Sequence, residues 1–113
     1  MRLEARKYLY DIQNAIALLQ EFTAGKGLAD YEREPMLRAA VERKFEIIGE
    51  ALTQLAKSDA EIAGGISEHH RIIAFRNILI HGYADVDDRL VWDVVETKLP
   101  ILSKEVETLL GSQ

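Results

Sequence analysis

The chain has 113 residues, of which 48% are hydrophobic, and it contains two prolines, seven glycines and no cysteine. This composition predicts one folded domain over residues 1–113, and it excludes a disordered chain, disulfide bonds and thiolate metal sites. The formal net charge of −5 argues against broad electrostatic attraction to nucleic acid, although most of the excess acidity lies in residues 85–113 and the rest of the chain is near neutral.

The N-terminal residues lack the long apolar segment of a signal peptide, and no apolar run approaches the ~20 residues that span a bilayer. The absence of cysteine fits a reducing compartment. We therefore predict a soluble cytoplasmic protein that does not act at a membrane.

Helical periodicity dominates the first half of the chain. Residues 3–24 are predicted to form the first helix, because apolar side chains recur there at steps of three and four. These side chains are Leu9, Ile12, Ile16 and Leu19. A connector that can include one helical turn follows at residues 28–34, and Pro35 suits the first turn of a second helix that continues to about Lys57. Gly49 within that helix costs roughly 1 kcal/mol relative to alanine, which a close crossing with another helix would explain.

After a predicted loop at residues 58–66, a third helix is expected to begin with Ser67 as its N-cap and to end at residue 80 or 81. At about 100° per residue, this helix has a core stripe and, almost opposite, a polar stripe. The core stripe consists of Ile72, Phe75 and Leu79, and the polar stripe of His70, Asn77 and His81. Ile73 and Ile80 lie beside the polar stripe, so they are covered either by a neighbouring helix or by a second copy of the chain. We favour a symmetric dimer with the polar stripe in or beside its interface.

A fourth helical segment is predicted to start within residues 85–88 and to continue to about residue 110. Pro100 should kink or split it near residues 98–99, because proline has no N–H group and its ring clashes with the preceding turn. No segment shows the alternation of a strand and no repeat is present. The predicted fold is an all-α, four- to five-helix up-and-down bundle.

The third helix and the turn after it contain four residues that can carry chemistry. Each has an ordinary structural explanation: Arg76 can pair with an acidic neighbour, His81 can interact with the dipole at a helix C-terminus, Asn77 can be a satisfied buried amide, and Tyr83 can be an amphipathic residue at a helix end. The adjacent His69-His70 pair does not predict a metal site, because consecutive helical residues point in different directions and no third ligand has suitable spacing.

Taken together, the arginine and the histidine indicate a reaction. Arginine supplies planar, permanently charged donors that suit a phosphate, and histidine can take up and release a proton near neutral pH. These two groups are enough for metal-independent cleavage of RNA, in which the ribose 2′-OH attacks the adjacent phosphate and the developing charge is neutralised. No cofactor is expected, and DNA should resist because it lacks the 2′-OH.

Residues 76–83, Arg-Asn-Ile-Leu-Ile-His-Gly-Tyr, resemble the Arg-(four residues)-His-X-Tyr motif of the HEPN superfamily, in its HepT-like toxin branch. Two further blocks also resemble that family. Residues 41–51 are similar to its second-helix signature, and residues 91–95 with Leu99-Pro100 are similar to its C-terminal segment. The resemblance covers nearly the whole chain.

The resemblance implies a helical homodimer that acts as the ribonuclease toxin of a type VII toxin–antitoxin pair, with two copies of the motif facing a shared cleft. It implies that Arg76 and His81 are the catalytic pair, with Asn77 as a supporting polar neighbour. It also implies a partner, an MntA-like nucleotidyltransferase antitoxin, which in some systems transfers AMP to the tyrosine that corresponds to Tyr83.

Because the net charge is negative, any surface that binds the RNA substrate must be local. The candidate contacts are Arg38, Arg43, Lys44 and Arg71. Two other hypotheses remain open. The chain can be a non-catalytic partner protein that binds a nucleotide or the nucleotidyltransferase, or it can be a dimeric helical scaffold without enzymatic activity.

Overall fold

The computed structural model describes residues 1–111, and these form helices and turns without any strand. In chain order the elements are α1 (Leu3–Thr23), α2 (Leu28–Arg33), α3 (Pro35–Ser58), α4 (Ala60–Ala63), α5 (His69–His81), α6 (Asp88–Asp93), a π-helical segment (Val94–Lys98) and α7 (Leu99–Gly111). The predicted all-α bundle is confirmed. The predicted connector contains the short helix α2, and the predicted loop at residues 58–66 contains the single turn α4.

The long helices α1 and α3 pack along each other, α5 packs on α3, and α7 packs on α1. The apolar stripe predicted on α1 is buried against this core in full, since Leu9, Ile12, Ile16 and Leu19 are each at most 3% exposed. On α5, Phe75 and Leu79 are buried as predicted, and Ile72 is half-buried. The Phe75 ring meets the Phe45 ring of α3 edge to face, with centroids 5.3 Å apart. This contact fixes α5, the helix that carries the motif, on α3.

Ser67 does not cap α5, so this prediction is wrong. The helix begins at His69, and the residue before it, Glu68, has a left-handed backbone with φ 55°. Ser67 instead donates its backbone N–H (3.0 Å) and its hydroxyl (2.7 Å) to the carboxylate of Glu105 on α7. A charged carboxylate that accepts two hydrogen bonds is a stronger partner than the backbone amides of a helix end. The interaction ties the loop before α5 to α7.

The last helix departs from regular α-helical geometry just before Pro100, as predicted, but as a π-helical segment (Val94–Lys98) and not as a break. Leu99 donates its N–H to the carbonyl of Val94, five residues back, instead of to the residue four back. Because Pro100 cannot donate and its ring would meet the carbonyl four residues before it, the wider π-helical turn lets the chain pass this point without ending the helix. No helix among residues 1–111 has the length and hydropathy needed to cross a membrane.

Candidate active site

Arg76 lies where α5 crosses α3, directly over Gly49. A Cβ atom placed on Gly49 would lie only 2.7 Å from Arg76 Cγ, and closer still to Arg76 Cβ, so no larger residue fits there without a shift. The close helix crossing expected at Gly49 is confirmed. The aliphatic part of the Arg76 side chain occupies the space that this glycine leaves empty.

The Arg76 guanidinium belongs to a network of four side chains. Its Nη2 lies 2.9 Å from Glu50 Oε2, and its Nη1 donates to Asn77 Oδ1 at 3.2 Å. The other oxygen of Glu50 accepts a hydrogen bond of 3.1 Å from Gln54 Nε2. Arg76 Nε is buried and has no hydrogen-bond partner in the part of the chain that the structure describes. Arg76 therefore does pair with an acidic neighbour, and that pairing orients it.

A cleft of about 340 Å³ opens beside Arg76, between α1, α3 and α5. Three ion pairs lie along it. They are Lys7–Asp11 (3.3 Å), Arg43–Glu46 (3.5 Å) and Arg76–Glu50 (2.9 Å). The half-buried ring of Tyr8 adds an aromatic surface to the same cleft. Since each of these cations has its own carboxylate, the cleft is balanced in charge and does not form an open basic surface.

His81 is the last residue of α5 and is exposed. Because it follows Arg76 by five positions, it lies about 140° further round the helix and roughly 7.5 Å further along the axis. His81 does not line the cleft beside Arg76. Within one chain, the two side chains of the predicted catalytic pair therefore leave α5 in different directions. Asn77, on the exposed face between them, contacts Arg76 directly.

Tyr83 lies in the turn that follows α5, and 81% of its surface is exposed. Its hydroxyl is thus open to a second protein, two residues after His81.

The adjacent rings of His69 and His70 lie 4.0 Å apart. Among residues 1–111, no group of three or more histidine or acidic side chains is arranged to hold a metal ion.

Of the four basic residues predicted to contact RNA, only Arg43 shares the cleft with Arg76. Arg38 donates to the backbone carbonyls of Tyr31 and Glu32, and so supports α2. Lys44 is half-buried on α3, outside the lining of the cleft. Arg71 pairs with Glu68 at 3.2 Å and lines a different, apolar groove between α5 and α7.

Several residues of this site were not predicted from the sequence, among them Lys7, Tyr8, Glu50 and Gln54. The sequence did contain a signal for Glu50, because the neighbouring Gly49 indicated a close crossing at that point of α3. The sequence contained no signal for Lys7 and Tyr8, since nothing in the sequence of α1 shows that it lies close to α5.

The isoleucines beside the polar stripe differ in exposure. Ile73 is half-buried against the core of its own chain, whereas Ile80 is 36% exposed at the edge of the cleft. On the other side of the stripe, Ile78 is 47% exposed and lines the apolar groove of about 310 Å³. Asn77 and His81 therefore lie between two exposed isoleucines.

The family model described as Ribonuclease HepT-like matches residues 12–109. A protein of Thermococcus cleftensis named "Probable ribonuclease HepT" is 33% identical over 109 residues, which cover 96% of this chain and 98% of that relative. A "Putative RNase" of Caldanaerobacter subterraneus is 33% identical over 108 residues and 96% of each chain.

A protein of Methanocaldococcus jannaschii named "Gamma-glutamylcyclotransferase and putative RNase" is 36% identical over 106 residues. These residues cover 94% of this chain but 47% of the relative, so the chain spans about half of that longer protein. No solved structure matches the chain significantly.

Proposed function

This chain belongs to the ribonuclease HepT-like family, and from that membership we propose that it is a metal-independent endoribonuclease that acts in the cytoplasm as the toxin of a toxin–antitoxin pair. One observation carries the proposal: the matched region contains Arg76, which is paired with Glu50, and His81 at the end of the same helix. Arginine and histidine at these positions supply the two functions that RNA cleavage requires.

In the proposed reaction, the Arg76 guanidinium binds the phosphate and neutralises the charge that develops on its oxygens. His81 takes the proton of the ribose 2′-OH as the O2′–P bond forms. The P–O5′ bond breaks, and the 5′ oxygen leaves with the proton that His81 has accepted, which restores the neutral histidine. The products are a 2′,3′-cyclic phosphate and a 5′-hydroxyl, so no water, metal ion or cofactor enters the cleavage step.

We place this reaction between two copies of the chain, with both copies of the motif facing a shared cleft. The divergence of Arg76 and His81 on α5 supports this placement, because the cleft of one chain does not reach both side chains. The exposed isoleucines on either side of the polar stripe, Ile78 and Ile80, offer apolar surface for a symmetric contact.

Purified protein is expected to cleave RNA in the presence of a chelator and to leave DNA intact. Arg76→Ala and His81→Ala should each lower the cleavage rate by about 10²- to 10⁴-fold, since each removes a group needed in the transition state. His69→Ala is the control, because His69 is also a histidine of α5 but lies outside both the motif and the polar stripe. Folded Arg76→Ala and His81→Ala proteins with full activity would refute the proposal.

We further propose that an MntA-like nucleotidyltransferase neutralises this toxin by transferring AMP to Tyr83. The tyrosine oxygen would attack the α-phosphorus of ATP, lose its proton and release pyrophosphate. The 81% exposure of Tyr83 supports access by such an enzyme, and a bulky anionic group two residues after His81 would repel an RNA phosphate.

Co-expression with that partner is expected to add the mass of one AMP to the protein. Tyr83→Phe should abolish the addition and restore toxicity, whereas Tyr10→Phe, a change at a half-exposed tyrosine of α1, should do neither. Unmodified Tyr83 beside an active partner would count against this part of the proposal.

The charge-balanced cleft favours a second candidate function, a non-catalytic protein that binds a nucleotide or the nucleotidyltransferase. Three paired cations offer less attraction to RNA than three free ones. This alternative is supported if the protein cuts no RNA and yet forms a stable stoichiometric complex with the transferase.

A further inference from the structure

We propose that Glu50 is a positioning residue for Arg76: it holds one edge of the guanidinium so that the remaining N–H groups face the RNA phosphate. The inference rests on the proposed ribonuclease function and extends the site from α5 to α3. Glu50 lies outside the Arg-His-Tyr motif, but its Oε2 is 2.9 Å from Arg76 Nη2.

Glu50 is itself held in place. Its two oxygens are bound separately, one by Arg76 Nη2 at 2.9 Å and the other by Gln54 Nε2 at 3.1 Å, one turn further along α3. A carboxylate anchored by a second side chain has less rotational freedom, and the guanidinium bound to it is restricted in turn. The pair therefore orients Arg76 before the substrate arrives.

The backbone beside Glu50 has the same effect. Gly49 leaves the space that the Arg76 Cβ and Cγ atoms occupy, so the side chain is confined from its stem to its charged end. Arg76 is 27% exposed, in contrast to 68% for Arg43 and 70% for Lys7, the other cations of the cleft. Those two residues have carboxylate partners but no comparable confinement.

The donors of Arg76 that remain free suit a phosphate. A guanidinium has five N–H groups in one plane. Glu50 Oε2 forms an ion pair with Nη2 at 2.9 Å, Asn77 accepts one N–H from Nη1, and the Nε–H is buried. Nη1 and Nη2 each keep an N–H that can donate to a phosphate, and two such donors on neighbouring nitrogens can bind two phosphate oxygens in a fixed orientation.

Cleavage kinetics on one RNA substrate test the proposal. Glu50→Ala is expected to lower kcat by about 10- to 100-fold and to change KM much less, because binding survives while the geometry at the phosphate is lost. Glu50→Gln keeps an oxygen that accepts from Arg76, so it should recover most of kcat. Thermal unfolding of each variant shows whether it is folded.

Glu46→Ala is the matched control, since it removes the same charge from the same cleft but contacts Arg43 rather than Arg76. It is expected to change KM and not kcat. Equal loss of kcat in Glu46→Ala and Glu50→Ala would assign the effect to the charge of the cleft and overturn the proposal. So would faster cleavage by Glu50→Ala, which would make Glu50 a competitor of the phosphate.

A second measurement does not depend on RNA cleavage. The buried Nε–H of Arg76 should give an NMR signal, assigned by its loss in Arg76→Ala, that exchanges slowly with water. In Glu50→Ala this signal should shift and exchange faster, and in Glu46→Ala it should stay close to the wild type. An unchanged signal in Glu50→Ala overturns the proposal. If the wild type cuts no RNA, the ribonuclease function fails, and this signal still decides whether Glu50 holds Arg76.

Discussion

At position 49, the absence of a side chain determines how closely α5 approaches α3. The three atoms nearest to a Cβ placed at this position all belong to Arg76. A helix interior is otherwise a poor place for glycine, because of its conformational entropy in the unfolded chain. Gly49 thus lowers the stability of α3, and in return its missing side chain lets Arg76 lie close to the helix.

Gly49→Ala is expected to displace Arg76 and to lower RNA cleavage by about 100-fold, as a shift of about 1 Å at a reacting group can do. Its effect on stability should be smaller, because crowding of roughly 1–3 kcal/mol is offset by about 1 kcal/mol of helix propensity. Cleavage assays and thermal unfolding measure the two effects separately.

Gly111→Ala is the matched control, because Gly111 is also helical and a Cβ there meets no atom of residues 1–111 within 4 Å. It should retain full activity. If Gly49→Ala cleaves RNA as fast as Gly111→Ala, the close crossing has no role in the reaction.

At the scale of elements, α2 packs on both α3 and α6, and α3 carries a half-buried carboxyl group, Glu42, that is influenced by Asp88 of α6. Burial raises the pKa of Glu42, and the negative charges of Glu46 and Asp88 raise it further, while Arg38 acts in the opposite direction. Arg38 also donates to carbonyls of α2. Arg38 therefore has a structural role at this junction. The sequence alone could not distinguish that role from a contact with RNA.

The raised pKa of Glu42 predicts a pH dependence of stability. The folded state binds the proton of Glu42 more tightly than the unfolded state does, so protonation of Glu42 raises the free energy of unfolding. This contribution is complete below the usual glutamate pKa of about 4.3 and is lost as the pH rises through the pKa of the folded state. Glu42→Gln removes that loss. The variant is expected to melt at a higher temperature than the wild type at about pH 7, with a smaller difference at about pH 4.

Thermal unfolding across this pH range measures the effect, and Glu21→Gln, at an exposed carboxyl of α1, controls for the loss of one charge. A lower melting temperature for Glu42→Gln at neutral pH would show that the carboxylate stabilises the junction and would contradict the prediction.

At the scale of the whole molecule, the proposed active site requires a second copy of the chain. Ile80→Glu is expected to convert a dimer into a monomer and to abolish RNA cleavage, because it places a charge in the proposed contact. Light scattering after size-exclusion chromatography measures the mass. Met36→Glu, at an 85% exposed residue of α3, is the control and should remain dimeric.

A dimer that persists in Ile80→Glu but is lost in Ile78→Glu would move the interface to the apolar groove between α5 and α7. Ile73, which sequence reasoning placed in the same contact, is less suited to this test because it packs against the core of its own chain.

The sequence by itself determined the long helices, the core stripe of α1 and the irregularity before Pro100. These features depend on local rules, namely the 3.6-residue period and the geometry of proline, which act over a few neighbouring residues. The motif residues on α5 were also visible in the sequence. The match to the family model over residues 12–109 agrees with that resemblance.

Only the tertiary structure decided which side chains those residues contact. Glu50 of α3 pairs with Arg76 of α5, and Ser67 donates to Glu105 of α7 instead of capping α5, because helices distant in sequence approach one another there. A polar side chain takes the strongest acceptor within reach, and reach is set by packing. For that reason the motif led to the proposed reaction and Gly49 to an expected close crossing, but only the fold showed that Arg76 lies over Gly49 and pairs with Glu50.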